Sequence, residues 1–167
     1  MTKEMPQAVG IIPEKEMIQI LAKLKEKNRK HYRAIYFLAA TGFRASELLN
    51  LKFEDIDLRK NLIALKNSKC ESIDYFSIYP ALREFIINEF RERERKVFDF
   101  KNRHSLKFFE RFLKNRGFNH YTLHALRKTF ISRIINSGVP IQDVMKIVRL
   151  RIDNCFKNLE LIRKNNL

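Results

Sequence analysis

The sequence predicts a mainly helical α+β domain carrying a small three-stranded antiparallel sheet. Apolar residues recur at helical spacing before Phe53 and after Pro80, while the stretch between them alternates loosely and favours β-branched and aromatic residues. Hydrophobics reach 45% with only four Gly and four Pro, a composition that fits a packed, helix-rich domain and not a disordered chain. A chain of 167 residues suits one core. Residues 13–167 therefore read as a single domain and residues 1–12 as a loose leader.

The elements follow in order. PEKEMIQILAKLKEK (Pro13 to Lys27) has a proline at its start, acids in its first turn and apolar positions at Met17, Ile18, Leu21 and Leu24, which predicts an amphipathic helix. A second helix from Arg29 to about Ala40 should end at Gly42, where glycine can take the left-handed cap conformation. A short third helix follows Arg44 and carries Glu47, Leu48 and Leu49. FEDID, NLIALK and SIDYFSIY then read as strands, with the polar turn NSKCE before the last and Lys66 and Lys69 at its margins. Pro80 stops the sheet. ALREFIINEFRERERK returns to helical spacing and ends in a solvated charged run, and HSLKFFERFLKNRGF forms a further helix closed by Gly117. A helix from about Thr122, a turn at Gly138-Val139-Pro140, a helix in VPIQDVMKIVRL and a polar tail from about Asp153 complete the chain.

Charge narrows the class of partner. Thirty-four Lys+Arg against 19 Asp+Glu leave a formal charge of +15, a field that attracts a polyanion. Nucleic acid is the expected partner. Basic residues occur along the whole chain without a lipidation motif, and the longest apolar stretch, AIYFLAATGF, covers about half a bilayer, so membrane attachment is not expected. The amino-terminal residues lack a secretory signal pattern, and a cytoplasmic location is expected. Cys70 and Cys155 are isolated, and His120 and His124 lack the companions of a zinc motif, so no disulfide framework, metal or cofactor is indicated. An RNA-binding sheet would need aromatics on one face, and Tyr75, Phe76 and Tyr79 do not alternate in that way.

LHALRKTF (Leu123 to Phe130) raises a chemical question. At about 100° per residue, Leu123, Leu126, Phe130, Ile131, Ile134 and Ile135 fill one arc of the helix, and Lys128, Thr129, Ser132, Arg133 and Asn136 fill the other. Arg127 falls between Leu123 and Ile131, and His124 between Ile131 and Ile135. An arginine that starts from a buried face needs a partner, because an unpaired buried charge is costly.

Two stretches carry a resemblance. ATGFRASELLNLKFEDID (Ala40 to Asp57) resembles the first signature of the tyrosine recombinases, the phage integrase family, and LHALRKTF resembles the second. The order of the two, the hairpin between them and the GVP turn after them extend the likeness from about Ile11 to Leu159. The resemblance implies an integrase-like catalytic domain, without the separate amino-terminal DNA-clamping domain of full-length members. It implies that Arg44 and Arg127 grip the scissile phosphate, that His124 donates a hydrogen bond or shuttles a proton, and that a hairpin lysine, Lys69 or else Lys66, protonates the leaving oxygen. Guanidinium forks suit this chemistry because a phosphodiester under attack spreads negative charge over its nonbridging oxygens. In an empty site, solvent or Glu47 is expected to meet the arginines. Another copy of the chain, or an active recombinase, is an expected oligomeric partner.

The pattern breaks near its end. The family places a second histidine after the GVP turn and a nucleophilic tyrosine nine residues beyond it. One register puts these at Leu150 and Leu159, the other at Arg149 and Asn158, and no tyrosine follows Tyr121. Cys155 and Tyr121 are the substitutes within the sequence, and Phe156 lies two or three positions early for a Tyr→Phe change. The expectation is a DNA-binding relative that is degenerate in the covalent step, or else a recombinase with an unrecognised or partner-supplied nucleophile, or a regulatory or architectural module.

Overall fold

The computed structural model of the chain describes residues 10–67, 72–90 and 96–149. Helix α1 (Glu14–Lys27) buries Met17, Ile20 and Leu24, while Ile18, expected inside, is exposed. Asn28 caps α2 (Arg29–Thr41) by accepting the His31 N–H at 3.1 Å, and Gly42 closes that helix at φ 64° as its sequence position predicts. Helix α3 (Ala45–Asn50) follows. The sheet is β1 (Ile56–Asp57), β2 (Leu62–Asn67) and β3 (Ser72–Ser77), antiparallel in that order, with Ile63 opposite both Ile56 and Phe76. Ile63, Leu65 and Phe76 face the core, and Ile73 and Tyr75 face outward.

Two expected elements are shorter than predicted and a third is divided. Phe53–Asp55 forms a 3-10 turn because the Asp55 carboxylate accepts the Lys52 N–H at 3.0 Å, so only Ile56 and Asp57 of FEDID pair as a strand. Helix α4 (Pro80–Glu89) stops at Phe90, whose backbone is extended, and Lys96 bridges to Lys52. Residues 91–95 of the charged run lie outside the described residues. The helix predicted over HSLKFFERFLKNRGF divides at Lys107 into α5 (Arg103–Leu106) and α6 (Phe108–Asn115), with Asn102 capping the first through the Ser105 N–H. Helices α7 (Leu123–Asn136) and α8 (Ile141–Val148) come last.

Helix α2 runs through the core, and its side chains Ala34, Ile35, Phe37 and Leu38 are buried. The phenylalanines pack edge to face: Phe37 meets Phe43 at 5.6 Å and Phe98 at 5.3 Å, and Phe43 meets Phe76 at 5.2 Å. Glu89 pins α4 to α2 by accepting Arg29 Nε at 3.0 Å and Arg33 Nε at 3.1 Å.

Helix α7 is more enclosed than its hydrophobic pattern predicts. Thr129 and Ser132, on the arc expected to face solvent, are buried. The segment before α1 covers that arc. Ile12, from the expected leader, sits in the core and donates its N–H to Thr129 Oγ1 at 2.9 Å, while Thr129 donates to the Ala125 carbonyl at 2.7 Å. The Thr129 hydroxyl can occupy such a face because it finds backbone partners on both sides. On the opposite side Phe130 presses against the α2 terminus, where a Cβ on Gly42 would lie 2.3 Å from Phe130 Cδ1. Gly42 is therefore fixed twice, by its left-handed backbone and by the absence of space.

Two stability outcomes follow from this packing. Gly42→Ala is expected to cost about 2–4 kcal/mol in urea unfolding, against about 1 kcal/mol for Gly117→Ala, which has a left-handed φ of 69° but open space around it. His31 lies 4.2 Å from the Phe108 ring and 5.1 Å from Phe100, with Nε2 3.1 Å from the Ser105 carbonyl. Burial pushes its imidazole below the ordinary histidine range, with Lys30 and Arg111 adding to the effect. Acidification through about pH 6.5 then protonates the unfolded chain before the folded one, so stability falls as pH drops. Urea titrations at pH 7 and pH 5 should show that loss shrinking in His31→Phe.

Candidate functional site

The glycine turn that ends α2 also builds the site. Its left-handed backbone directs the Gly42 carbonyl at α7, where Arg127 Nη1 donates to it, and Arg127 Nη2 donates to the carbonyl of Val148 at the end of α8. Arg127 is 5% exposed. Solvent or Glu47 is expected from the sequence to meet the arginines, and for Arg127 backbone oxygens stand in their place. Burial, and then the charge of Arg44, push its pKa down to about 10, which still leaves it cationic at neutral pH. Two of the five guanidinium N–H donors can satisfy these carbonyls.

Three residues beyond Gly42 the chain enters α3. Glu47 reaches back to its start, accepting the Arg44 backbone N–H at 2.7 Å and Arg44 Nη1 at 2.8 Å. The same carboxylate accepts Arg149 Nη2 at 2.7 Å, from the residue that ends α8. Burial alone would raise the Glu47 carboxyl, but Arg149 first and then Arg44 hold it below the usual carboxylate range. Arg44 also donates to the Arg149 carbonyl at 3.3 Å and stays half-exposed.

Arg44, His124 and Arg127 line one cleft of about 220 Å³, together with Leu38, Phe43 and Leu123. His124 stands in the first turn of α7 and is exposed. Desolvation, then Lys128, Arg127 and Arg103, lower its pKa, so the imidazole is neutral at pH 7 and can offer one N–H and one lone pair. Arg103, at the start of α5, is a fourth polar wall of the cleft. The sequence reading missed it. Its only sequence signal is a cap asparagine, Asn102, immediately before it, which fixes where α5 begins.

The other candidates lie elsewhere. Lys66 does not line the cleft and is held at the hairpin by Asp55 at 3.0 Å and Glu54 at 3.6 Å. Lys69 lies outside the described residues, as do Cys70, Leu150, Cys155, Phe156, Asn158 and Leu159. Tyr121 is buried, donates its hydroxyl to Glu16 Oε2 at 2.8 Å and does not line the cleft, which does not suit it to a nucleophile's part. Arg149, one of the two positions for the missing histidine, presents its guanidinium to Glu47.

A mainly helical domain with a hairpin sheet, and with two guanidiniums from distant signatures facing one cleft, belongs to the class of integrase-like catalytic folds. The chain is a member of the phage integrase family, whose profile matches residues 11–149. It is 30% identical to a "Probable integrase/recombinase" of Acholeplasma phage L2 over 84% of this chain and 53% of that protein. With the tyrosine recombinase XerA of Saccharolobus solfataricus the identity is 32%, over 73% of this chain and 42% of the relative. The chain thus spans about half the length of the curated relatives it matches. Among solved structures, the catalytic domain of bacteriophage HP1 integrase superposes with a TM-score of 0.72 at 18% identity, covering 90% of this chain and 87% of that one. A crystal structure of XerA recombinase gives 0.71 at 18% identity, covering 98% and 64%.

The two signature arginines should separate in stability measurements. Arg127→Ala strands the Gly42 and Val148 carbonyls and is expected to cost about 2–4 kcal/mol. Arg44→Ala loses a half-exposed pair and should cost less than about 1 kcal/mol. Chemical denaturation of the two variants side by side measures the gap.

Proposed function

We propose that this chain binds duplex DNA as an integrase-type domain, with one backbone phosphate seated in the cleft between Arg44 and Arg127, and that it is degenerate in the covalent step. The observation that carries this reading is the cleft itself: Arg44, Arg103, His124 and Arg127 line it together, with no carboxylate among its lining residues. A phosphodiester fits such a wall, since guanidiniums can bind its nonbridging oxygens by paired, charge-assisted hydrogen bonds. Neutral His124 would add a donor to the same group. The family supports the choice of DNA over other polyanions. Solved structures of similar fold include XerH recombinase bound to its difH substrate and the Tn1549 transposon integrase in complex with a circular intermediate DNA. The net charge of +15 supplies the long-range attraction. Action on DNA agrees with a cytoplasmic location.

Arginines and a histidine polarise a phosphate but do not attack it. A phenol nucleophile is needed for the phosphotyrosine intermediate of the family, and the sequence carries no tyrosine after Tyr121. The proposed output is occupancy of DNA, alone, with another copy or beside an active recombinase. A nicked suicide substrate tests the degenerate step: retention of the duplex with no covalent protein-DNA adduct is expected, and an adduct would make the chain an active recombinase.

The electrostatic mode has its own test. If about six to ten phosphates are contacted, affinity should drop by about 10³ to 10⁵ between 50 and 200 mM salt. Arg44→Ala should weaken binding at every salt concentration while the domain stays folded. A flat salt response would sink the DNA reading.

A further inference from the structure

Arg149 stands out on three independent grounds. It is one of two non-glycine residues with positive φ among the described residues, at φ 51° and ψ 47°. Its side chain is only 10% exposed, with Nη2 2.7 Å from Glu47 and the guanidinium centre 4.9 Å over the Phe43 ring. It lines no part of the cleft, so direct contact with a phosphate there is not its work. A left-handed conformation is costly for an arginine and points to a local gain.

The gain lies in the charge balance around Glu47. That carboxylate sits beside Arg44 and, left to itself, would neutralise the guanidinium that the proposed phosphate must meet. Arg149 meets the same carboxylate from the other side. Arg44, Arg127 and Arg149 against Glu47 give a net of two positive charges with neutral His124, whereas without Arg149 only one remains. The left-handed turn makes this possible by closing α8, with the Arg149 N–H donating to the Lys146 carbonyl at 3.2 Å, while the side chain folds back onto Phe43 and Glu47. Arg44 in turn donates to the Arg149 carbonyl, so the residue touches both members of the pair it balances.

We infer that Arg149 is a positioning residue that acts through Glu47: it takes up the carboxylate's charge and so keeps Arg44 available to an incoming phosphate. The inference rests on the phosphate reading of the cleft and deepens it. It also explains why an ion pair needing a strained backbone is kept beside a site that is already rich in cations.

The test is a double-mutant cycle read by binding of a 20-base-pair DNA duplex at fixed salt. Arg149→Gln is expected to weaken binding about tenfold, and Glu47→Gln to tighten it. The decisive species is Glu47→Gln with Arg149→Gln, where removing the carboxylate should restore affinity to within about threefold of the parent. Glutamine keeps an oxygen for the Arg44 backbone N–H, so the cap of α3 survives. Arg149→Gly is the second probe, since glycine accepts the left-handed backbone: it should reproduce the weaker binding with its circular dichroism unchanged. Unaltered binding in both Arg149 variants overturns the inference, and so does a double variant as weak as Arg149→Gln, which would mean that Arg149 meets DNA directly or only supports the fold. Arg44→Ala keeps the two readings apart. If it leaves binding intact, the phosphate reading fails; if it abolishes binding while the Arg149 variants bind normally, only the inference fails.

Discussion

The site depends on one buried guanidinium bonded to two chain termini of helices. Arg127 joins the carbonyl after α2 to the carbonyl at the end of α8, from a position on α7 between them. A helix end leaves carbonyls without intrahelical partners, and here one side chain satisfies one from each of two helices. The arrangement fixes the relative placement of Arg44, which follows the first carbonyl, and Arg149, which follows the second. Remove the fork, and the two segments that shape the cleft lose their common anchor. Phe130, one turn along α7, reinforces the same contact by filling the space that a side chain at position 42 would need.

Around that anchor, charge is distributed with care. Arg127 keeps its proton despite burial because a guanidinium starts from so high a pKa that the downward push still leaves it at about 10. Arg44 is engaged more loosely, by an acid shared with a second arginine. The contrast suits a binding site: one cation is part of the framework, and the other can exchange its partner for a ligand at small cost.

Much of this was legible in the sequence because helical periodicity and capping are local. Gly42 as the end of α2 and the hairpin after Asp55 rest on short-range patterns, and those hold; the meeting of two distant signatures rests on the family resemblance. The partners of Arg127 were not legible, since backbone carbonyls look alike at every position and only the fold selects Gly42 and Val148. Arg103 was hidden among many exposed basic residues, with nothing to mark it except where α5 begins. The burial of Thr129 and Ser132 is not legible, because the hydrophobic pattern of a helix cannot show that another segment will lie across its polar face. The strand over FEDID failed for a different reason: the Asp55 carboxylate competes locally with strand pairing and wins the first three residues.

The bond between Ile12 and Thr129 has a mechanical consequence. It hooks the incoming polypeptide onto α7 less than one turn from Arg127, so a pull exerted ahead of Gly10 is delivered to the interior of that helix before it reaches α1. Anything attached upstream would thus hold a lever on the guanidinium, and with it on the shape of the cleft.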